Sequence, residues 1–280
     1  MLPLITSPTN HRVKHWVRLR RSDVRRQCGE FLIDGRQEVE KAVAAGIEVC
    51  TLLIPGDDLA DPETVARVTS LVSEHVVQPL GPAAMRRVSY GQRDRDWIAV
   101  ARVRTERLTA LAFPPCPLIL VLDRLEKPGN IGACLRSAAA VGASAVLLAD
   151  CPTDLYNPNA IRASRGAIFQ LPVVQCGSAE AIELLRRHDV PICAAEVDAP
   201  QSFWETDLSG AVAIAIGNEA DGLQEVWRQS ATTRFRVPMQ AHTDSLNASI
   251  SAALCLYEAQ RQRQFAGNGR KKFDDPIVGG

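Results

Sequence analysis

No run of 18 apolar residues occurs anywhere in the chain, and its opening residues, MLPLITSPTNHR, hold no apolar segment of the kind an export signal needs. A membrane span and secretion are therefore not expected, and the cytoplasm is the expected compartment. The eight cysteines (Cys28, Cys50, Cys116, Cys134, Cys151, Cys176, Cys193, Cys255) form no CxxC pair and no Cys/His spacing suited to a metal. They read as small core hydrophobes in a reducing compartment, and no metal is expected. No GxGxxG occurs, and the GNG at Gly267 follows no strand, which argues against a nicotinamide dehydrogenase and any enzyme built on that glycine fingerprint. The P-loop pattern GxxxxGK[ST] and the nucleophile elbow GxSxG are absent too, and there is no internal repeat.

Net charge is also missing: 32 basic side chains balance 32 acidic ones. The balance hides a cluster. Between Arg12 and Arg36 stand Arg12, Lys14, Arg18, Arg20, Arg21, Arg25, Arg26 and Arg36 against Asp23, Glu30 and Asp34, with His11, His15 and Trp16 among them. Cations with an aromatic can follow a phosphate backbone and stack on a base. On charge alone, a solvated helix face fits equally well.

What is present is enough for two domains: 280 residues, 46% of them hydrophobic. Residues 1–105 read as a small helix–sheet–helix sandwich. Strands are expected at 31–33, 48–54, 76–77 and 97–103, with helices at 39–46, from Asp61-Pro62 through Val72, and at 83–88. The prolines of Phe113-Pro-Pro-Cys-Pro117 suit neither a helix nor an interior strand, so 106–117 is expected to be a linker. Beyond it, strands (118–122, 145–149, 169–174, 192–195, 212–216, 234–237) alternate with helices (131–141, 158–165, 179–188, 223–230, 246–264). That alternation predicts an α/β domain over 118–265, its mainly parallel sheet covered on both faces. A flexible tail is expected over 266–280.

In such sheets ligands bind beyond the carboxyl ends of the strands. Three loops there draw attention. In Asp123-Arg-Leu-Glu-Lys-Pro-Gly-Asn-Ile-Gly-Ala-Cys-Leu-Arg136, Pro128-Gly129 turns, Asn130 can cap and Gly132 permits close backbone approach. Arg136 falls on the second turn of the following helix, where the helix dipole disfavours a cation unless it faces an anion. In Ile214-Ala-Ile-Gly-Asn-Glu-Ala-Asp-Gly-Leu223 a buried strand ends at Gly217, and Glu219 can either favour the helix start or hold a ligand or an arginine. In VPMQAHTDSLNASIS (Val237 to Ser251) the strand stops at Pro238, and Ser245 and Asn247 sit where a helix opens. Ile250, Leu254 and Tyr257 then recur at helical spacing.

Taken in order, NIGACLRSA (Asn130 to Ala138), IGNEADGL (Ile216 to Leu223) and VPM…SLNASIS resemble the three motifs of the SpoU/TrmH-type RNA ribose methyltransferases of the SPOUT superfamily. ITSPTNHRVKHWVRLRR…GEFLIDGRQEVEKA similarly resembles that family's ribosomal-protein-like, RNA-binding α/β/α domain. The resemblance implies a homodimer with a deep C-terminal trefoil knot, where connection rules alone would give an unknotted sheet. It implies methyl transfer from S-adenosylmethionine to a ribose 2′-hydroxyl of ribosomal RNA. By the same resemblance, Ile216, Gly217, Val237, Met239, Ser245, Leu246 and Asn247 bind the donor, while Asn130, Arg136, Ser245 and Glu219 serve the reacting nucleotide. It also assigns Arg12, Lys14, Arg18, Arg20, Arg21, Arg25 and Arg26 to RNA. An arginine almost never gives up its proton, so orienting a phosphate is the easier role for Arg136 than acting as base.

The chain departs from the family pattern at Val237, usually isoleucine, and in the polar stretch Ala-His-Thr-Asp (241–244), which leaves that loop's shape open. His242 there reads as a solvent-facing loop histidine. Two other functions stay in view: a methyltransferase acting on transfer RNA, and a non-catalytic RNA-binding or ribosome-assembly protein. Intact Asn130, Arg136, Glu219, Ser245 and Asn247 speak against the second.

Overall fold

A computed structural model describes residues 1–90, 96–240 and 245–266. The polar stretch 241–244, with His242, and the expected tail from 267 onward lie outside the described residues.

The first part of the chain runs α1 (His11–Arg18), α2 (Ser22–Cys28), β1 (Glu30–Asp34), α3 (Arg36–Ala44), β2 (Val49–Pro55), α4 (Pro62–Leu71), β3 (Val77–Leu80), α5 (Pro82–Val88) and β4 (Ile98–Arg102). Its four strands lie in the order β1-β4-β2-β3, with only β2 and β3 parallel. Local chemistry sets the helix starts. The Asp61 carboxylate accepts from the backbone N–H groups of Glu63 and Thr64, with Pro62 at the first position of α4. Alternation in β1 decides the layers: Leu32 joins Val13, Trp16, Met85 and Val88 on one face, while Phe31 and Ile33 point to the other. The expected helix–sheet–helix sandwich is what forms.

The second part runs β5 (Leu118–Asp123), α6 (Pro128–Ala140), β6 (Ala145–Ala149), α7 (Pro158–Ser164), β7 (Val173–Cys176), α8 (Ser178–Arg187), β8 (Ile192–Ala195), β9 (Gln201–Ser202), β10 (Val212–Ile216), α9 (Glu225–Ser230), β11 (Thr233–Arg236) and α10 (Ala248–Ala266). All seven strands are parallel, in the order β7-β6-β5-β10-β8-β11-β9. Both faces are covered. Leu118, Leu120 and Leu122 pack with Leu135 of α6 and Leu256 of α10, and Ile119 and Val121 pack with Leu185 of α8 and Trp227 of α9. Asp123 is fully buried at the end of β5. Its Oδ2 accepts the Gln224 N–H at 2.7 Å, tying that strand to the start of α9, although burial pushes its carboxyl above the usual range.

Some expectations need correction. The strand expected at 169–174 is β7, starting only at Val173; Ala167–Phe169 instead forms a 3₁₀ turn. Pro172 interrupts the apolar run, whose Phe169 is buried at 6.2 Å from the ring of Phe31 rather than in a ladder. The short strand β9 carries too few residues to be read from periodicity. Trp16 is not free to stack on a base, because α1 buries it in the first sheet's core.

The two sheets share a core. Phe31 of β1 stacks on Tyr156 at 4.1 Å, and the Tyr156 hydroxyl donates to the Arg104 carbonyl at 2.6 Å. Arg25, assigned above to RNA, is part of this junction: it is 2% exposed, with Nε and the Asp154 carboxylate 2.7 Å apart and NH1 2.8 Å from the Leu19 carbonyl. Half-buried Arg20 is also engaged within the fold. Its NH2 donates to the carbonyls of Val88 (2.8 Å) and Arg87 (3.1 Å), satisfying the end of α5, and burial lowers its pKa. Lys14, Arg18, Arg21 and Arg26 remain exposed.

Candidate active site

Three chain segments meet at the carboxyl end of the second sheet. Strand β10 delivers Ile216 and then Gly217, after which residues 218–222 double back: Asn218 Oδ1 accepts from the Ala220 and Asp221 N–H groups, and the Asn218 carbonyl accepts the Gly222 N–H at 3.1 Å. Gly217 has no room for a side chain. A Cβ there would lie well inside 3.0 Å of the Gly222 backbone and the Leu223 nitrogen. Gly132 shows the same constraint elsewhere, since a Cβ would come within 2.6 Å of the Ala163 Cβ where α6 crosses α7.

Residues Val237 and Met239 follow β11, and Ser245 to Asn247 lead into α10. The helix begins at Ala248, two residues later than the spacing suggested, because Asn247 is its cap. Asn247 Oδ1 accepts the Ser249 N–H at 2.9 Å, and the Asn247 carbonyl accepts the N–H groups of Ile250 and Ser251 at 3.0 Å each.

The three segments are joined by amide–carboxylate hydrogen bonds. Asn130, on the first turn of α6, donates through Nδ2 to Glu219 Oε1. The Asn247 amide donates to Asn130 Oδ1 (3.3 Å) and Glu219 Oε1 (3.4 Å). Each of the three motifs thus contributes one member to a single polar junction. Beside it lies a cavity of about 390 Å³, lined by Ile216, Gly217, Glu219, Val237, Met239, Ser245 and Leu246, among others. Apolar walls with a few convergent polar groups suit a small organic ligand.

Arg136 stands apart from these. It is exposed on α6, does not line the cavity and makes no hydrogen bond or ion pair with another described residue. Six residues of helix carry it about 9 Å along the axis from Asn130 and about a third of a turn round it. The neighbouring thiols cannot substitute as nucleophiles, since burial pushes Cys134 and Cys151 up to about 12.

Sequence reasoning missed one wall. Ala195, Glu196, Val197 and Asp198, after β8, line the same cavity, as does Arg228 of α9. The Glu196 side chain is 6% exposed, with Arg228 Nε 2.9 Å and Arg234 Nε 3.2 Å away as ion pairs. The rule that ligands bind beyond strand ends, applied also to the strand expected at 192–195, would have found this loop. Among the described residues no cluster of His, Cys, Asp or Glu could hold a metal, and no helix is long and apolar enough to cross a membrane.

Residues 117–257 match the SpoU rRNA Methylase family, and residues 10–99 match the MRM3-like substrate binding domain. The chain is 41% identical over 147 residues to a 23S rRNA (guanosine-2′-O-)-methyltransferase RlmB of Xylella fastidiosa, a match covering 52% of this chain and 59% of that protein. It thus spans about three fifths of that relative's length. A 23S rRNA (uridine(2479)-2′-O)-methyltransferase of Streptomyces viridochromogenes is 30% identical over 264 residues, 91% of each chain. Among solved structures, an RNA 2′-O ribose methyltransferase superposes with a TM-score of 0.82 at 40% identity, covering 93% of this chain and 99% of that one. The SpoU methyltransferase AviRb from Streptomyces viridochromogenes, in complex with the cofactor AdoMet, gives 0.82 at 28% identity over 91% of this chain and 98% of that one. Three motifs converging on one cavity and a match along most of the chain lead to the same statement: the chain belongs to the SpoU rRNA methylase family.

Proposed function

We propose that this chain methylates a ribose 2′-hydroxyl of ribosomal RNA with S-adenosylmethionine as donor, working as a homodimer in the cytoplasm. The observation that carries the reading is the Asn130–Glu219–Asn247 junction beside the cavity lined by Ile216, Val237, Met239 and Leu246. The names of the relatives, 23S rRNA 2′-O-methyltransferases, supply the substrate class. Residues 1–105 serve recognition of the RNA and residues 118–265 the transfer. When bound, S-adenosylmethionine supplies a methyl group on a sulfonium that leaves as a neutral thioether. The chain's own task is then alignment and removal of one hydroxyl proton. Apolar Ile216, Val237, Met239 and Leu246 exclude water around the donor, while Ser245 and the Gly217 backbone give polar contacts at its edge. Asn130 and Glu219 hold the acceptor side.

Arg136 fits this scheme through a second copy. On α10, Ile250 (51% exposed), Leu254 (41%) and Tyr257 (53%) form an apolar stripe at i, i+4 and i+7, and α10 lies against α6, which carries Arg136. A two-fold partner covering the stripe would bring Arg136 of one copy towards the cavity of the other. There the guanidinium orients the phosphate of the acceptor nucleotide. After β11, the chain returns to lay α10 over β10, β5 and α6, a path that suits the trefoil knot implied by the resemblance.

The test is to map ribose methylation across total RNA from cells with and without the protein. One 2′-O-methyl mark in ribosomal RNA should disappear; a lost mark only in transfer RNA, or none, would overturn the assignment. In vitro, Asn130→Ala and Arg136→Ala should each lower turnover by about 100-fold, the scale of one lost positioning contact, while calorimetric affinity for S-adenosylhomocysteine changes little. Wild-type turnover in either variant removes that residue from the site. Leu254→Glu with Tyr257→Glu should give a monomer by sedimentation, and a dimer surviving both changes would place the interface elsewhere.

A further inference from the structure

Strand β8 lies between β10 and β11, the two strands whose ends lead into Gly217 and Val237. Ala195 pairs with Ile216 on one side and Phe235 on the other, and the Glu196 N–H donates to the Phe235 carbonyl at 2.9 Å. The turn after β8 is therefore delivered between those two segments, and Ala195 to Asp198 line the cavity there. Asn130 of the polar junction follows β5, on the other side of β10.

The turn is clamped at both ends. Glu196, its side chain 6% exposed, has Arg228 Nε 2.9 Å and Arg234 Nε 3.2 Å away. Arg236 NH1 donates to the Ala199 and Pro200 carbonyls at 2.5 Å each. Between the clamps Val197 and Asp198 stand exposed. Asp198 makes no hydrogen bond or ion pair with another described residue. The two acids of the turn thus differ: Glu196 faces two arginines, whereas both Asp198 oxygens are free to accept.

We propose that the Asp198 carboxylate accepts hydrogen bonds from the 2′- and 3′-hydroxyls of the donor's own ribose, on a turn that Glu196 and Arg236 hold in position. The inference rests on the reading of the cavity as the S-adenosylmethionine site and adds to it the group that recognises the sugar.

The chemistry matches group to group. An ionised carboxylate offers acceptors only, and a vicinal diol offers two O–H donors side by side. The other charged residues lining the cavity are already committed. Glu219 receives Asn130 and Asn247, Glu196 faces its arginines, and Arg228 is a cation that cannot accept. Among the described lining residues, Asp198 is the carboxylate left unpaired. Its place in the sheet fits as well. In dinucleotide-binding sheets an acid beyond a strand takes a ribose hydroxyl near a glycine turn, and β8 runs hydrogen-bonded beside β10, which ends at Gly217. With the sugar held there, apolar Ile216, Val237 and Leu246 remain for the adenine.

The experiment is a calorimetric cycle on the full chain, with S-adenosylhomocysteine and its 2′,3′-dideoxy analogue as probes. The wild-type chain should bind the first about 10- to 100-fold more tightly, the scale of hydrogen bonds to a charged group. In Asp198→Ala that ratio should fall to within about threefold, because affinity for S-adenosylhomocysteine drops while affinity for the analogue stays put. Asp198→Asn, which keeps one acceptor and loses the charge, should give a ratio between the two. A merely structural role for Asp198 would weaken both probes together and leave their ratio unchanged. A thermal melt of each variant reports that it folds. A wild-type ratio retained in both variants, or a wild-type chain that binds the two probes equally, overturns the ribose contact and leaves the donor site standing. A wild-type chain that binds neither probe overturns both.

Discussion

Gly217→Ala should weaken donor binding about 100-fold while leaving most of the chain folded. The glycine has no positive φ and is needed for space alone: an added methyl would sit well inside 3.0 Å of the Gly222 backbone and the Leu223 nitrogen. Backbone cannot rotate away as a side chain can, so the 218–222 turn would have to lift off the end of β10. That turn carries Glu219, which receives Asn130 from α6 and the Asn247 cap of α10. One methyl group therefore disturbs all three segments at once. Overpacking of this kind costs about 1–3 kcal/mol where neighbours can adjust. Spent on holding the loop open, ~2.7 kcal/mol is a 100-fold loss of affinity. Calorimetry with S-adenosylhomocysteine, beside a thermal melt, checks it. Affinity within a few-fold of wild type would mean that the loop is not a wall of the donor site.

Asp154→Asn should destabilise the junction of the two sheets, and it should cost more than Arg25→Met. Arg25 lies 2% exposed, so removing the charge of its partner strands a guanidinium away from water with only the Leu19 carbonyl for compensation. Breaking a buried pair costs about 3–5 kcal/mol. Asp154 itself is 20% exposed, which reduces the expectation to about 2 kcal/mol, or an apparent melting shift of roughly 5 °C. Asparagine retains the Oδ1 that accepts the Tyr156 N–H at 2.9 Å, so the measured loss belongs to the ion pair. Methionine at position 25 removes the stranded charge and fills its space, which is why it is the milder change. Loosening the junction should also raise KM for RNA and spare donor affinity. If both variants melt with wild-type protein, the pair is screened by solvent and does not fix the two sheets together.

Much of this was legible in the residues. Pro62 after Asp61 and the stop at Pro238 fix where elements begin and end through backbone chemistry that needs no partner, whereas Pro128-Gly129, expected as a turn capped by Asn130, is itself the first turn of α6. The buried strands of the second sheet read as continuous apolar runs because helices cover both faces, and β6, β8 and β10 lie where those runs predicted. The three loops carrying the site were also visible, since each follows a strand end.

By itself, then, the sequence determined the order of strands and helices, the motifs at their ends and the family, because local periodicity and backbone restrictions act within a few residues. Only the tertiary structure decided which face of each helix turns inward. Ile250, Leu254 and Tyr257 look like a core stripe yet stand exposed, while Ala252, Cys255, Leu256 and Ala259 are buried. Arg25 and Trp16 look like ligands for RNA yet lie in the interior. The Asn130–Glu219–Asn247 junction joins residues 28 to 117 positions apart. The reason is physical: burial and hydrogen bonding depend on what packs opposite, and what packs opposite comes from distant parts of the chain.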